Sequence, residues 1–169
     1  MMKTPLFTPS HGANFILTQA EYEEVPVTQL KLLKLIYLLY GWVRAILDER
    51  LFDEDIQAWK LGPVVPSLYH EFKRFGSDPI TERSFCMDDY GIVTRPSIPD
   101  DHPVVIVMKR AWDVYKPFKA LALVNKTHEP DSPWERHYQP ALTDKIIPDI
   151  EIKDYFTKKI RSYINATPQ

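Results

Sequence analysis

Residues 28–48 read TQLKLLKLIYLLYGWVRAILD. Thr28 suits the N-cap position, where its hydroxyl can accept from an amide of the first turn. Leu30, Leu32, Leu33, Leu35, Ile36, Leu38, Leu39, Trp42, Val43, Ile46 and Leu47 then cover a helix on most of its sides. Lys31, Lys34, Gly41, Arg44 and Asp48 fall close together at steps of three, seven, three and four. They are expected to form one narrow wet stripe. A helix that is apolar nearly all round belongs in the middle of a domain, so this segment is expected to be the hub of the fold. A membrane span would need about 20 nearly charge-free residues, which the two lysines and the arginine rule out.

Working outward, a first helix is expected from about Gly12 to Glu23, capped by Ser10, with Phe15, Ile16, Gln19 and Tyr22 near one face. After the hub comes an acidic turn, then IQAWKLG as a short extended piece. Pro66 suits the first position of the next helix, where its missing N–H has no intrahelical partner. Val65, Leu68, Tyr69, Phe72 and Phe75 repeat at helical spacing, Lys73 and Arg74 meet the negative end of the dipole, and Gly76 ends the helix in the left-handed conformation. Ser77–His102 is rich in turn formers, with short strands expected near Ser84–Cys86 and Gly91–Thr94 paired around DDYG.

Pro103 opens a helix with Val104, Val105, Met108, Ala111, Trp112 and Tyr115 inward, and Pro117 stops it at Lys116. PFKALALVNKTH runs as a helix to about His128, and Trp134 starts a short helical piece ending before Pro140. Asp149 caps a last helix whose inner stripe is Ile152, Phe156, Ile160 and Tyr163. The expected architecture is mainly α: residues 1–169 form one helical domain around the buried 28–48 helix, with a small β-hairpin within 77–102.

The chain has 169 residues, 44% of them apolar, and a net charge of −2. That suits a folded protein and provides no global basic field, so nucleic acid is an improbable partner. Cys86 is the only cysteine, which excludes an internal disulfide or a multi-cysteine zinc site and points to a reducing cytoplasm. The N-terminal residues have no long apolar run and do not read as a secretory signal.

Catalytic patterns are weak. His70-Glu71 starts like a zinc-protease helix, but the fourth residue after His70 is Arg74, so no metal site is expected. His128, Glu129, Asp131 and Ser132 have the residue types of a triad but are crowded into one turn, whereas triads assemble from distant parts of a fold. There is no Gly-rich phosphate loop, and Cys86 lacks cationic neighbours in sequence. An enzyme using His128 and His70 is therefore the minor alternative, and no cofactor is expected.

Several segments carry a family resemblance. TQLKLLKLIYLLYGW (Thr28–Trp42), LFDEDIQAWKLGPVVPSLYHEFKRFG (Leu51–Gly76), ALALVNKTHEPDSPW (Ala120–Trp134) and IEIKDYF (Ile150–Phe156) resemble, in order, the hub helix, two signatures and closing helix of the Panacea-domain, SocA-like family. Ser77–His102 departs from that pattern by being longer and richer in proline, and Lys116-Pro117 inserts a proline at a helix boundary. The resemblance implies the antitoxin of a bacterial or prophage toxin–antitoxin pair, which neutralises its cognate protein toxin by direct contact. In one branch it implies an adaptor that hands the toxin to a cytosolic protease. The signature residues matched here are Trp59, Lys60, Gly62, Pro63, Val64, Pro66, Tyr69, Phe72, Thr127, His128, Pro133 and Trp134.

For these, a shaping role is favoured over partner contact, with His128 expected to hydrogen-bond across to the 59–66 loop. Tyr37, Tyr40, Trp112 and Tyr115 are likewise expected in the core rather than at an interface. Asp48, Glu49, Asp53, Glu54 and Asp55 put five carboxylates into eight positions. They are read first as a solvated, capping turn and second as a toxin-contact patch that would steer a basic toxin site.

Overall fold

The computed structural model describes residue 5 and residues 7–166. Helices α1 (Pro9–Tyr22), α2 (Gln29–Leu47), α3 (Pro66–Phe72), α4 (Pro103–Tyr115), α5 (Ala120–Thr127), α6 (Pro133–His137) and α7 (Asp149–Ala166) account for most of these residues. Two antiparallel hairpins complete them: β1 (Gln57–Trp59) with β2 (Gly62–Val64), and β3 (Cys86–Met87) with β4 (Val93–Thr94). The fold is mainly α, and the second hairpin lies within 77–102 as the turn formers there predict.

Helix α2 is the hub: α1, α3, α4, α5, α7 and β2 all pack on it. Thr28 caps it, its Oγ1 accepting from Lys31 N at 3.3 Å, and Asp48 closes it in the left-handed region at φ 54°. The inner face of α4 is as the spacing predicts, with Val104, Val105, Met108, Ala111, Trp112 and Tyr115 all buried. Tyr37 and Tyr40 are buried too.

The wet stripe is overturned. Lys31, Lys34, Gly41 and Arg44 are all buried, and only Asp48 of the five is exposed. Each has a specific neighbour that removes it from water. Lys31 Nζ donates to the Lys116 carbonyl at the end of α4 (2.7 Å), where a cation meets the negative end of a helix dipole. Lys34 Nζ donates to Pro63 O (2.6 Å). Gly41 faces the ring of Phe156 on α7, and Arg44 is held by Asp149 and Asp48. The stripe is the seam along which α7 and the first hairpin dock.

Other boundaries shift for local reasons. Helix α1 starts at Pro9, not Gly12, because Thr8 rather than Ser10 is its cap and Pro9 takes the first position; His11 Nδ1 accepts from Thr8 N (3.1 Å). Its buried face is Gly12, Ala13, Asn14, Ile16, Leu17 and Ala20, and Tyr22 is exposed. Pro117–Lys119 forms a separate turn, so α5 begins only at Ala120. Gly76 stops the 3-10 turn Lys73–Phe75 at φ 55°, but with ψ −122° it lies outside the left-handed helical region. On α7, Ile152 and Phe156 are buried, Ile160 is half-buried and Tyr163 is exposed. The Asp149 carboxylate engages α2 instead of the α7 amides. Among the described residues no helix is long and apolar enough to cross a membrane.

Candidate functional site

The tight turn Lys60-Leu61 joins β1 to β2 and places Gly62 opposite Trp59. Gly62 has φ 106°, and a Cβ there would lie 2.7 Å from Thr127 Oγ1 and 2.9 Å from Lys34 Nζ. Only glycine meets both demands without strain. Pro63, Val64 and Val65 are buried behind it, and Pro66 takes the first position of α3 as its chemistry predicts. On the other edge of β1, Ala58 N donates to Lys145 O and Ile147 N to Ile56 O, both at 2.8 Å, so the hairpin is covered on that side.

The second signature closes over this hairpin. Ser132 Oγ accepts from Glu135 N (3.2 Å), capping α6, and Pro133 follows at its first position. Trp134 Nε1 then donates to the Trp59 carbonyl (2.7 Å). The imidazole of His128 stacks on Trp134 with centroids 3.5 Å apart and planes 4° from parallel, and Tyr138 stacks on Trp134 at 4.7 Å. Trp59 meets Tyr69 edge to face, Thr127 Oγ1 donates to Val124 O, and Phe72 is wholly in the core. Lys60 stays exposed at the turn. The two signatures, some seventy residues apart in sequence, are thus one packed unit.

Two details differ from expectation. The hydrogen bond to the 59–66 loop comes from Trp134, not His128; among the described residues the buried His128 Nε2 has no hydrogen-bond partner. His70 is exposed beside Tyr69, in surroundings unlike those of His128. The residue that sequence reasoning missed is Lys34. It is the cationic centre on which Gly62, Pro63 and Thr127 converge, and its side chain is 0% exposed. The available signal was a lysine surrounded in sequence by Leu33, Leu35, Ile36 and Tyr37.

Burial brings the Lys34 ammonium down to about 7. Burial, and then the Lys34 charge, hold the His128 imidazole below its ordinary range. The sign of the consequence follows from proton counting. Between about 7 and the ordinary lysine value of about 10.4 the unfolded chain binds the proton and the folded chain does not, so stability rises with pH. Below about 7 both states are protonated and the full burial cost is carried. The buried Tyr37 and Tyr40 hydroxyls, pushed up mainly by burial, reverse the trend above about 10. Urea melts at pH 6–9.5 should therefore show stability climbing with pH. Lys34→Met should flatten that climb and be the more stable protein at pH 6. Parallel profiles for the two proteins would refute the assignment.

The acidic residues are largely engaged within the chain. Asp48 pairs with Arg44 (2.9 Å) and Lys153 (2.7 Å), and Asp53 pairs with Arg50 (2.7 Å). Glu54 accepts from Ser67 N and Oγ (3.2 and 2.8 Å), capping α3 from a distance. Glu49 is half-buried, while Asp55 is exposed. Beside the second signature, a groove of about 780 Å³ runs between residues 129–136 and α7. There Glu129 accepts from Lys159 Nζ (2.8 Å) and Tyr155 OH (2.9 Å).

The family described as "Antitoxin SocA-like, Panacea domain" matches residues 32–135, a span containing most of the hub helix and both signatures. The protein named Antitoxin SocA from Caulobacter vibrioides (strain NA1000 / CB15N) is 29% identical over 124 residues. The match covers 73% of this chain and 66% of that protein, just under two thirds of its length. No solved structure matches the chain. Because the family match takes in more than half of the residues, including the first hairpin, α5 and the Pro133-Trp134 start of α6, the chain belongs to the SocA-like antitoxin family, the Panacea domain.

Proposed function

We propose that this chain is a cytoplasmic antitoxin of a bacterial or prophage pair, a single domain that neutralises its cognate protein toxin by binding it. The observation that supports this reading best is the family match across residues 32–135, taken with how those residues are used. Trp59, Gly62, Thr127 and Trp134 are consumed in packing one another onto α2, and the cation at their centre, Lys34, is sealed from any substrate. Such an arrangement presents a rigid surface and turns nothing over. Occlusion of a toxin's working face needs an interface of about 1,200–2,000 Å² in total, within reach of a chain with 10025 Å² of accessible surface.

The test is expression of the adjacent gene with and without this one. Growth arrest by the neighbour alone, relief on co-expression and co-purification of the two products are expected. Arrest that persists on co-expression would overturn the reading, and relief accompanied by protease-dependent loss of the toxin would replace occlusion with delivery. The same complex tests the carboxylate patch as a steering element. Reversing Asp53 and Asp55, with Glu54 kept because it caps α3, should slow association in low salt and leave dissociation unchanged.

A further inference from the structure

The β3–β4 hairpin carries a dense run of exposed apolar side chains. Phe85 is 54% exposed, Met87 66%, Tyr90 90%, Ile92 59% and Val93 58%. Five large apolar side chains within nine positions are left uncovered by the fold, with Asp88 and Asp89 confined to the turn between the strands. Summed over both faces of the hairpin they offer roughly 600 Å² of apolar surface, most of the ~800 Å² one partner contributes to a standard interface. Register puts Met87 opposite Val93, hence on one face, with Phe85 two residues along on the same face.

An isolated two-stranded pair is marginal in water, yet this one is closed at both ends. At its foot the buried Asn14 of α1 grips both arms: Nδ2 donates to Ser84 O (2.9 Å) and Pro96 O (2.8 Å), and Oδ1 accepts from Ser84 N (2.7 Å). At its tip Asp88 Oδ1 accepts from Tyr90 N and Ile92 N, both at 2.9 Å, and Gly91 takes the positive φ of the turn at 78°. The hairpin is therefore preformed, and seating it in a partner carries little ordering cost. Two depressions of about 380 and 230 Å³, sharing Arg83 as a wall, adjoin this foot and extend the dimpled face along α1.

We propose that this hairpin is the element that enters the partner, and that its occupant is an apolar, weakly charged cleft on the cognate protein toxin. The proposal rests on the antitoxin reading above. Charge supports the chemistry of the cleft: Arg83 is taken up by Glu21, and Arg95 partly offsets Asp88 and Asp89, so only a weak acidic excess accompanies the apolar side chains. Shape argues against a second copy of this chain. Each strand is two residues long, too short to template strand addition. About 600 Å² per protomer, or roughly 1,200 Å² in total, also falls below the ~2,000 Å² or more in total that obligate homodimers bury.

The experiment uses the full chain and the purified product of the adjacent gene. The triple variant Met87→Ser/Tyr90→Ser/Ile92→Ser replaces exposed side chains and should leave Tm and the circular dichroism spectrum unchanged. It should weaken toxin binding about 100-fold, mostly through faster dissociation and with little dependence on salt. Amides of residues 86–94 should gain hydrogen-exchange protection in the wild-type complex. Equal affinity of variant and wild type, with no protection at 86–94, would overturn the hairpin assignment and leave the antitoxin reading standing. A wild-type chain that neither binds nor rescues would sink both. A wild type that is dimeric in light scattering, and monomeric as the triple variant, would give the hairpin to a second copy and overturn the proposal.

Discussion

Gly41→Ala should destabilise the protein by about 3 kcal/mol and lower its Tm by roughly 6–12 °C, although alanine is the better helix former. A Cβ at Gly41 would lie 2.2 Å from Cδ2, 2.3 Å from Cε2 and 2.5 Å from Cγ of Phe156. Real contacts of that kind do not occur, so α2 and α7 would have to separate or the ring would have to turn. The ring has little room: Phe156 is 0% exposed and lies edge-on to Tyr37 (5.5 Å) and Tyr155 (5.4 Å). Phe156→Leu by itself leaves a cavity, but added to Gly41→Ala it should recover part of the loss, because the smaller side chain makes room for the methyl. The pair should therefore be less destabilised than the sum of the two single changes, the signature of direct contact. Thermal melts of the four proteins decide the matter. A Gly41→Ala protein as stable as wild type would mean that helix propensity, not the α2–α7 crossing, governs this position.

Asp149→Ala should cost a similar amount, about 3 kcal/mol, by leaving a buried guanidinium without its main partner. The Arg44 side chain is 6% exposed. Its Nε lies 3.0 and 3.1 Å from the two Asp149 oxygens and its Nη2 lies 2.9 Å from Oδ2, a forked, charge-assisted arrangement. The same carboxylate accepts from Tyr40 OH at 2.5 Å. Asp48 stays beside Arg44 after the change, but it is 68% exposed and screened by water. Asp149→Asn keeps an acceptor for the tyrosine and loses the charge, so it should fall between wild type and Asp149→Ala. Glu82→Ala, which breaks the exposed pair with Arg74, provides the surface standard and should cost less than about 1 kcal/mol. Equal losses for Asp149→Ala and Glu82→Ala in urea melts would show that the clamp between α2 and α7 contributes no more than a surface pair.

These two sites explain why the polar stripe of the hub helix was misread. Lysine, arginine and glycine at helical spacing are normally a solvated face, and within residues 28–48 only the apolar neighbours of Lys34 hint otherwise. What reverses the reading lies far along the chain: Pro63, Lys116, Asp149 and Phe156 each arrive at one stripe residue. Asp149 shows the same limit from the other side. An aspartate at the start of a helix reads as a cap, and only the packing of α7 on α2 shows that its carboxylate faces Arg44. His128 was placed at the correct helix end, but its stacking on Trp134 needed the position of α6.

The α1 boundary failed for a smaller reason. Thr8-Pro9 and Ser10 offer competing cap chemistries two residues apart, and the accepting His11 ring favours Thr8. The hairpin lay where DDYG forecasts a turn, but its exposed apolar side chains resemble core residues in sequence.

The sequence by itself determined the helix count, the helix-opening Pro66 and Pro103, the identity of the hub and the family signatures, because each depends on contacts or preferences within a few residues. Tertiary structure alone decided that the hub's cations are buried, that the two signatures close on Lys34 and that an apolar hairpin stands free of the core. Those outcomes depend on which distant groups replace water around a side chain, and no local pattern carries that information.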